Sequence, residues 1–238
     1  MGADQDVGPW SILHMKKNVI RLIAGLLLCS IFGFEISGVG RYPHTVVIDP
    51  GHGEPDGGAI ASDGTCENEI NLAIATRVTD ILRLFYVPCV QTRTDPVGIW
   101  SEDCTTIREK KVSDIHRRVE ITMRQEKPFL ISVHQNSFTG KASGAQVYFG
   151  NVPDSVIFAE ELSAALQGTA QVTVRDPVPV PDHVYLFSHC DCPAILVECG
   201  FLSDPGDLVL LKSPHHQEIL ALSISFAYLS FAFSKEEV

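Results

Sequence analysis

The hydrophobic pattern of residues 45–93 predicts a strand, a helix and a second strand. TVVID at 45–49 is a β-branched run that ends at proline and glycine, as buried strands often do. From Glu67 onward, apolar residues recur every three or four positions through ENEINLAIATRVTDILRLFY, which is the period of an amphipathic helix. VPCVQTR at 87–93 predicts another short strand. These three elements form a βαβ unit, so the sheet is predicted to be parallel.

The apolar stretches further along the chain predict more strands and helices. Three further strands are predicted, over residues 129–136, 144–150 and 193–199. Further helices are predicted over residues 113–126 and 155–167, from residue 204, and over the unusually apolar residues 214–233. Long loops are predicted at residues 94–113 and 174–183. We therefore expect residues 43–236 to be a single α/β domain, with a mostly parallel or mixed central sheet of about six strands and helices on both faces.

Residues 1–42 have a different composition from the rest of the chain. The basic segment MKKNVIR at 15–21 precedes an uninterrupted apolar run, LIAGLLLCSIFGF, at 22–34. This is the layout of a cleaved signal sequence or of an uncleaved membrane anchor, and both stay open. The lack of a clean A-x-A cleavage site favours the anchor. Met15, which two lysines follow, is a more natural start than Met1, so residues 1–14 are interpreted as an upstream extension.

The basic residues before the apolar run predict the side of the membrane on which the domain lies. Lys16, Lys17 and Arg21 precede residues 22–34, and the positive-inside rule keeps such residues in the cytoplasm. The catalytic-size domain is therefore expected to be exported and held in the cell envelope by an N-terminal membrane helix. If the signal is cleaved, it is expected to be secreted.

Charge and cysteine content exclude some classes of function. The formal net charge of -11 argues against electrostatic binding to nucleic acid or to anionic lipid.

Seven cysteines leave at least one unpaired, and the chain contains no C-x-x-C pair. Cys190 and Cys192 are too close in sequence for an ordinary structural disulfide. Most of these thiols are therefore predicted to be small buried hydrophobic groups.

Polar residues interrupt three apolar strands at their carboxyl ends. His52 follows the first strand, His134 ends LISVH, and Glu198 ends AILVE. In an open α/β sheet, ligands bind in the crevice outside the carboxyl ends of the strands. Glu67 begins the helix after the first strand, so it is expected at the same edge. The pattern therefore predicts that four polar side chains converge there.

Taken singly, three of these residues have ordinary structural interpretations. A turn histidine such as His52 often bonds a loop carbonyl, His134 could be a hydrogen-bonded core histidine, and Glu67 suits the first turn of a helix. Glu198 differs, because a lone buried carboxylate is costly unless it has a partner or a metal. Together the four favour a site. Two imidazoles and one carboxylate suit Zn²⁺, and a second glutamate could then take a proton from water.

Motifs along the whole domain identify a family. The segments DPGHGEPDGGAI, ENEINLAIA, TRTDP, ISVHQN, GAQVYF and PAILVECGFLSDP occur in this order between residues 45 and 232. In that order they resemble the zinc-dependent N-acetylmuramoyl-L-alanine amidases of the Amidase_3 family. Within the family, the short membrane lead and the loop that contains Gly98 and Trp100 are most similar to spore-cortex members. The resemblance implies hydrolysis of peptidoglycan, with a role in cortex maturation through muramic lactam formation and in germination.

The resemblance also implies a role for each of the four residues. It makes His52, Glu67 and His134 the ligands of Zn²⁺, and it makes Glu198 the catalytic general base. The implied substrate is the amide between the lactyl group of N-acetylmuramic acid and the L-alanine of the stem peptide. The sequence departs from the family pattern at Glu54, Asn68 and Asp204, and none of these departures removes a ligand or the base.

Two other functions stay open on the sequence alone. A zinc carboxypeptidase that acts within the stem peptide would use the same metal ligands. A non-catalytic wall-binding protein would be expected to lack a ligand or the base, and this chain has all four residues. The expected substrate is peptidoglycan, and no nucleic-acid partner is expected. The absence of wall-binding repeats favours an accessory protein for zinc loading or localisation, while the oligomeric state stays open.

Several other polar residues have weaker functional interpretations. A second metal site at His189, Cys190, Asp191 and Cys192 is less favoured than a tight turn with small buried thiols. His215 and His216, at the start of the last helix, are expected to face solvent. Three further residues match family positions and are expected to orient the loop rather than take part in chemistry: Arg93, Asp95 and Arg118.

Overall fold

Six strands form one mixed sheet in the computed structural model, which describes residues 42–170 and 172–236. The strands are β1 (Thr45–Pro50), β2 (Cys89–Gln91), β3 (Pro128–Asn136), β4 (Gln146–Phe149), β5 (Val178–Pro179) and β6 (Ala194–Phe201). Their order in the sheet is β2-β1-β3-β6-β4-β5. The first four in this order run parallel, and β4 is antiparallel to β6. The sheet is therefore parallel where the four predicted site residues lie and mixed beyond β6.

The helices cover both faces of this sheet. They are α1 (Glu67–Leu84), α2 (Ile107–Met123), α3 (Pro153–Ala165), α4 (Tyr185–Ser188), α5 (Pro205–Leu211) and α6 (Pro214–Glu236), with a π-helical turn at Leu166–Ala170. Alternate residues of β1 point to opposite faces. Val46 packs in the larger core with α1, α3 and α6, whereas Val47 packs in a smaller core beside α2 and α4. The predicted single α/β domain with a six-stranded mixed sheet is confirmed. The predicted N-terminal membrane helix and the extension over residues 1–41 lie outside the described residues.

A change in the direction of the chain creates a crevice between two neighbouring strands. From β1 the chain crosses through α1 to β2 on one side, and then returns through α2 to β3 on the other side. β1 and β3 are therefore neighbours whose outgoing connections leave in opposite directions. Such a switch point opens a crevice at the carboxyl ends of the two strands. His52 and His134 lie at these ends.

Helix α2 begins six residues earlier than the hydrophobic pattern predicts. The boundary at Ile107 is set by a capping box, in which the Thr106 hydroxyl accepts from the Glu109 amide and the Glu109 carboxylate accepts from the Thr106 amide. The apolar period is weak there because the helix buries few side chains. Two short elements were not predicted: β5, inside the predicted loop 174–183, and α4.

Helix α6 is a core helix by its burial. Among the described residues it is the one helix that is long and apolar enough to cross a membrane. Its mean hydropathy is 1.3 over the most apolar part of residues 214–235, and 61% of that part is buried inside the domain. It packs against α1, α3 and α5. The expectation that His216 faces solvent is wrong, because its side of the first turn of α6 is buried, whereas His215 is exposed as expected.

Candidate active site

The loop after β1 holds His52 in an unusual backbone conformation. His52 has a φ of 60°, in the left-handed region that residues other than glycine seldom occupy. Two buried arginines fix this loop through its carbonyl groups. Arg93 donates to the carbonyls of Pro50, Gly51 and His52, and Arg118 donates to those of Pro50 and His52. Both arginines therefore fix the backbone of residues 50–52.

Asp56 orients the imidazole ring of His52. Its Oδ2 atom lies 3.0 Å from His52 Nδ1, and Lys111 pairs with the other carboxylate oxygen at 2.9 Å. The contact at Nδ1 leaves Nε2 directed at Glu67. Burial alone would lower the pKa of His52, but Asp56 and Glu67 together raise it to about 9. Asp56 and Lys111 were not predicted from the sequence.

The Glu67 carboxylate lies between the two histidines. Its Oε2 atom is 3.3 Å from His52 Nε2, and its Oε1 atom is 2.9 Å from His134 Nδ1. The amides of Ala59 and Gln135 also donate to it. Burial opposes ionisation, but the hydrogen bonds and charges of the two histidines outweigh burial and hold the pKa of Glu67 well below its ordinary value. Glu67 is therefore an ionised carboxylate in a buried position.

Three of the predicted residues form a group with the geometry of a metal site. One ligand atom from each of His52, Glu67 and His134 lies within 4.8 Å of the other two, and no other such group occurs among residues 42–170 and 172–236. Two imidazoles and one carboxylate, with space for a fourth ligand, are a typical donor set for catalytic zinc. The residues present therefore fit Zn²⁺. The alternative cluster at 189–192 forms no such group, and Cys190 and Cys192 are buried in the smaller core as predicted.

Glu198, the fourth predicted residue, lies at the same edge of the sheet on the neighbouring strand. It lies on β6 directly opposite His134 on β3. Its Oε2 atom is buried and has no hydrogen-bond partner within the described part of the chain. Burial, together with the nearby charge of Glu67, raises the pKa of Glu198 to about 7, against the opposing effect of His134 and His52. A buried carboxylate without a partner is costly, and a pKa near 7 suits a group that exchanges protons at neutral pH.

Gly58 allows the ligands to approach one another. It has a φ of +69°, and a Cβ atom there would lie 2.5 Å from Glu67 Oε2 and 2.7 Å from His52 Cδ2. A side chain at this position would therefore displace both groups. The glycines of IDPGHGEPDGGA thus serve the packing of the site as well as the turn.

A cavity of about 210 Å³ opens beside the two histidines. Its lining includes His52, His134, Trp100, Lys110 and Phe187. Lys110 Nζ lies 3.9 Å from the centroid of the Trp100 ring. The cavity offers apolar walls and cationic groups at its margin, so it has space for part of a substrate next to the predicted metal ligands.

Comparison with known families gives a match over most of the domain. The model of the Amidase_3 family, described as N-acetylmuramoyl-L-alanine amidase, matches residues 46–227. The germination-specific N-acetylmuramoyl-L-alanine amidase of Bacillus subtilis is 31% identical over 192 residues, which cover 80% of this chain and 80% of that protein. AmiA of Escherichia coli is 36% identical over an alignment that covers 78% of this chain and 75% of AmiA.

Solved structures show the same architecture. The CwlD amidase from Clostridioides difficile, determined in complex with the GerS lipoprotein, has a TM-score of 0.77 and 28% identity, and the match covers 80% of this chain and 99% of that one. An N-acetylmuramoyl-L-alanine amidase from Clostridium difficile 630 has a TM-score of 0.69 and 26% identity, over 81% and 98% of the two chains.

Proposed function

The chain belongs to the Amidase_3 family of N-acetylmuramoyl-L-alanine amidases, and from that membership we propose that His52, Glu67, His134 and Glu198 form its catalytic centre. The protein is a peptidoglycan amidase, which cleaves the bond between N-acetylmuramic acid and L-alanine. The observation that carries the proposal is the convergence of three ligand atoms within 4.8 Å beside the unpartnered carboxylate of Glu198.

In this proposal, His52, Glu67 and His134 hold a zinc ion. Bound zinc supplies Lewis-acid polarisation of a carbonyl group and lowers the pKa of water. Asp56 keeps His52 Nε2 directed towards the ion site, and the amides of Ala59 and Gln135 fix the Glu67 carboxylate. The chain thus contributes ligands whose positions are fixed by hydrogen bonds and which are partly shielded from water.

Glu198 moves the protons of the reaction. Its carboxylate takes a proton from the water molecule that attacks the carbonyl carbon of the lactyl–alanine amide. When the C–N bond breaks, the same carboxyl group gives this proton to the nitrogen of L-alanine, so that a carboxylate and a free stem peptide result. A pKa raised to about 7 suits both transfers, because the group must accept and release a proton at neutral pH.

The enzyme acts in the cell envelope, in keeping with its family. We further propose that it is held there by the apolar run at residues 22–34 and that it serves spore-cortex maturation and germination. Support for the cortex role comes from the similarity to a germination-specific amidase and to CwlD. The complex of CwlD with a lipoprotein supports an accessory protein for zinc loading or localisation here too.

Digestion of isolated peptidoglycan tests the proposed reaction and separates it from its alternatives. The purified full chain is incubated with the substrate, with and without a chelator, and the products are identified by mass spectrometry. We expect release of whole stem peptides that begin with L-alanine, and no release in the chelator. Loss of single terminal residues would instead identify a carboxypeptidase, and the absence of any product with zinc present would indicate a non-catalytic protein.

A further inference from the structure

The edge of the domain opposite the site carries a cluster of exposed apolar side chains. Leu84 is 76% exposed and Tyr86 is 78% exposed, directly at and after the end of α1. Phe226 and Phe233 on α6 are 41% and 53% exposed. We call these four residues the apolar patch. Large exposed hydrophobic side chains that gather at one place usually mark an interaction surface.

Ring contacts join the two phenylalanines of the patch to Phe85, which lies between Leu84 and Tyr86, and to Tyr42. The Phe226 ring packs against the Phe85 ring with centroids 5.8 Å apart, and Phe233 packs against Tyr42 at 6.3 Å. The Tyr42 hydroxyl donates to the Phe85 carbonyl at 2.9 Å. Residues from α1, from α6 and from the first described residue of the chain thus meet on one surface.

The outer side of α6 presents two large apolar side chains among its exposed polar residues. Leu222, Phe226 and Phe233 follow one another at steps of four and seven, so they share one face, and the two phenylalanines are exposed. A helix at the surface of a globular protein usually presents charged or polar residues on that side. Phe226 and Phe233 depart from this rule, while the exposed Ser230 between them follows it. Tyr86 follows the end of α1 in a left-handed backbone conformation with a φ of 59°, and its amide donates to the Arg83 carbonyl.

The patch surrounds the point at which the chain enters the domain. Residues 35–41 alone separate the apolar run at 22–34 from Tyr42, and seven residues span at most about 25 Å when fully extended. If residues 22–34 lie in a bilayer, the patch is within reach of its surface. Tyr and Phe side chains are well suited to the interface between lipid and water.

The fold places the patch and the candidate site at opposite edges of the sheet. Tyr42 precedes the amino end of β1, whereas His52 follows its carboxyl end. Helix α1 begins at Glu67 in the site and ends at Leu84 in the patch, and its 18 residues span about 27 Å. A domain that rested on its patch would therefore present its site away from the supporting surface.

We propose that the apolar patch rests on the lipid surface of the membrane that holds the chain, and that this contact directs the catalytic edge towards the wall. The inference depends on the membrane anchoring proposed above. The contact is apolar in nature, because the net charge of -11 opposes attraction to anionic lipid. When the apolar patch inserts into the interface between lipid and water, its apolar surface is removed from water. This gain does not require lipids of opposite charge.

Photocrosslinking of the full chain in phosphatidylcholine vesicles tests this orientation. The photoreactive residue p-benzoylphenylalanine replaces Tyr86 or Phe226 in the patch, one site at a time. The matched control carries it in place of Phe138, which is exposed to a similar degree at the catalytic edge. After irradiation, we expect lipid adducts at 86 and 226 in several times the yield found at 138, as measured by mass spectrometry of the intact protein and its peptides.

Three outcomes of the crosslinking would overturn the proposal. Equal yields at the three positions would mean that the domain tumbles freely, and a crosslink to a second copy or to another part of the chain would mean that protein covers the patch. No lipid adduct at 86 and 226 would exclude the contact. Far-ultraviolet circular dichroism checks that each variant is folded, and amidase activity on soluble muropeptides is measured on the same samples. Loss of activity in every sample, the unsubstituted chain included, would count against the proposed function and leave the crosslinking result valid.

Discussion

Asp56 fixes the direction of the His52 imidazole, so its effect on metal binding can be measured apart from catalysis. We expect Asp56→Asn to weaken zinc binding by about 10- to 100-fold, because loss of the carboxylate at Nδ1 makes the imidazole a poorer ligand and frees its rotation. Competition with a chromophoric chelator measures the affinity. The control is Asp63→Asn, which removes an exposed carboxylate paired with Lys212 in the same part of the chain. Equal zinc affinities in the two variants would show that Asp56 does not position His52.

Glu198 is expected to be essential for hydrolysis and dispensable for metal binding. Glu198→Gln keeps the size of the side chain and removes its ability to accept a proton. We expect release of stem peptide to fall by about 10²- to 10⁴-fold, with the zinc content of the protein unchanged. Elemental analysis and mass spectrometry of muropeptide digests measure the two quantities.

The control for this substitution is Glu161→Gln on α3, since Glu161 also has a buried carboxylate oxygen with no hydrogen-bond partner among the described residues. It is not one of the four predicted site residues or their hydrogen-bond partners, and its variant should keep full activity. If Glu198→Gln retained the activity of the unsubstituted enzyme, another residue would have to be the base.

Arg118, which holds the loop around His52, forms an ion pair with Asp49. This ion pair makes the stability of the fold depend on pH. Burial opposes ionisation, but Arg118 and the hydroxyls of Thr92 and Ser132 lower the pKa of Asp49 to about 2. Because the pKa is lower in the folded state than the unfolded value of about 3.9, this carboxylate stabilises the fold above that value. The stabilisation is lost as the pH falls from about 4 towards 2.

Asp49→Asn therefore should lower the free energy of unfolding by about 3 kcal/mol at pH 7, since it removes one of the two carboxylates that pair with the buried Arg118 guanidinium and leaves Asp114 as the other. The difference between the two proteins should narrow by about 2 kcal/mol as the pH is lowered from 5 to 2. Urea denaturation at a series of pH values measures it. A difference that stays constant over this range would show that Asp49 is not the titrating group.

The sequence predicts the four site residues better than it predicts the residues that position their side chains. His52, His134 and Glu198 stand out because each ends an apolar strand, and strand ends converge wherever the sheet is parallel. Asp56 gives no such signal, because a carboxylate in a glycine-rich turn is an ordinary turn residue. Its contact with His52 depends on the left-handed backbone at residue 52, which only the folded loop defines.

At the scale of elements, the capping box of α2 determines where that helix begins and hence where Lys111 meets Asp56. Thr106→Ala removes the side-chain acceptor for the Glu109 amide and should lower stability by about 1 kcal/mol. For a domain of this size, that corresponds to a fall in Tm of roughly 2–4 °C. Thr106→Ser is the matched control, because serine also caps helices and should restore most of the loss. Equal thermal melting curves for Thr106→Ala and the unsubstituted chain would show that the cap does not stabilise the helix.

Buried elements were predictable from periodicity, and surface elements were not. β1, β3 and β6 are continuous apolar runs, so their predicted bounds agree with the structure to within about two residues. Helix α2 exposes most of its length and lacks a strong apolar period, although its T-x-x-E capping signal was present in the sequence at Thr106. β5 consists of Val178 and Pro179 alone and exists because β4 offers an edge, which no local pattern encodes.

At the scale of the whole molecule, the core is complete without a metal. The predicted ligands lie at one edge of a sheet whose two faces are already covered by helices. This differs from small zinc domains, in which the ion replaces a core and its removal unfolds the chain. The edge position also explains why a catalytic site with a costly buried carboxylate can be maintained, since the core supplies the stability that the site lacks.

Removal of zinc should therefore destabilise the domain without unfolding it. A ligand that binds only the folded state at about 100 times its Kd contributes roughly 2.7 kcal/mol, which corresponds to about 5–10 °C in Tm for a domain of this size. We expect a chelator to lower Tm by about this amount, while the far-ultraviolet circular dichroism at about 20 °C stays unchanged. His52→Ala is the control, since it lacks a ligand and its Tm should not respond to the chelator. Loss of the dichroism signal on chelation would mean that the ion organises the sheet edge itself, and that the ligands are structural as well as catalytic.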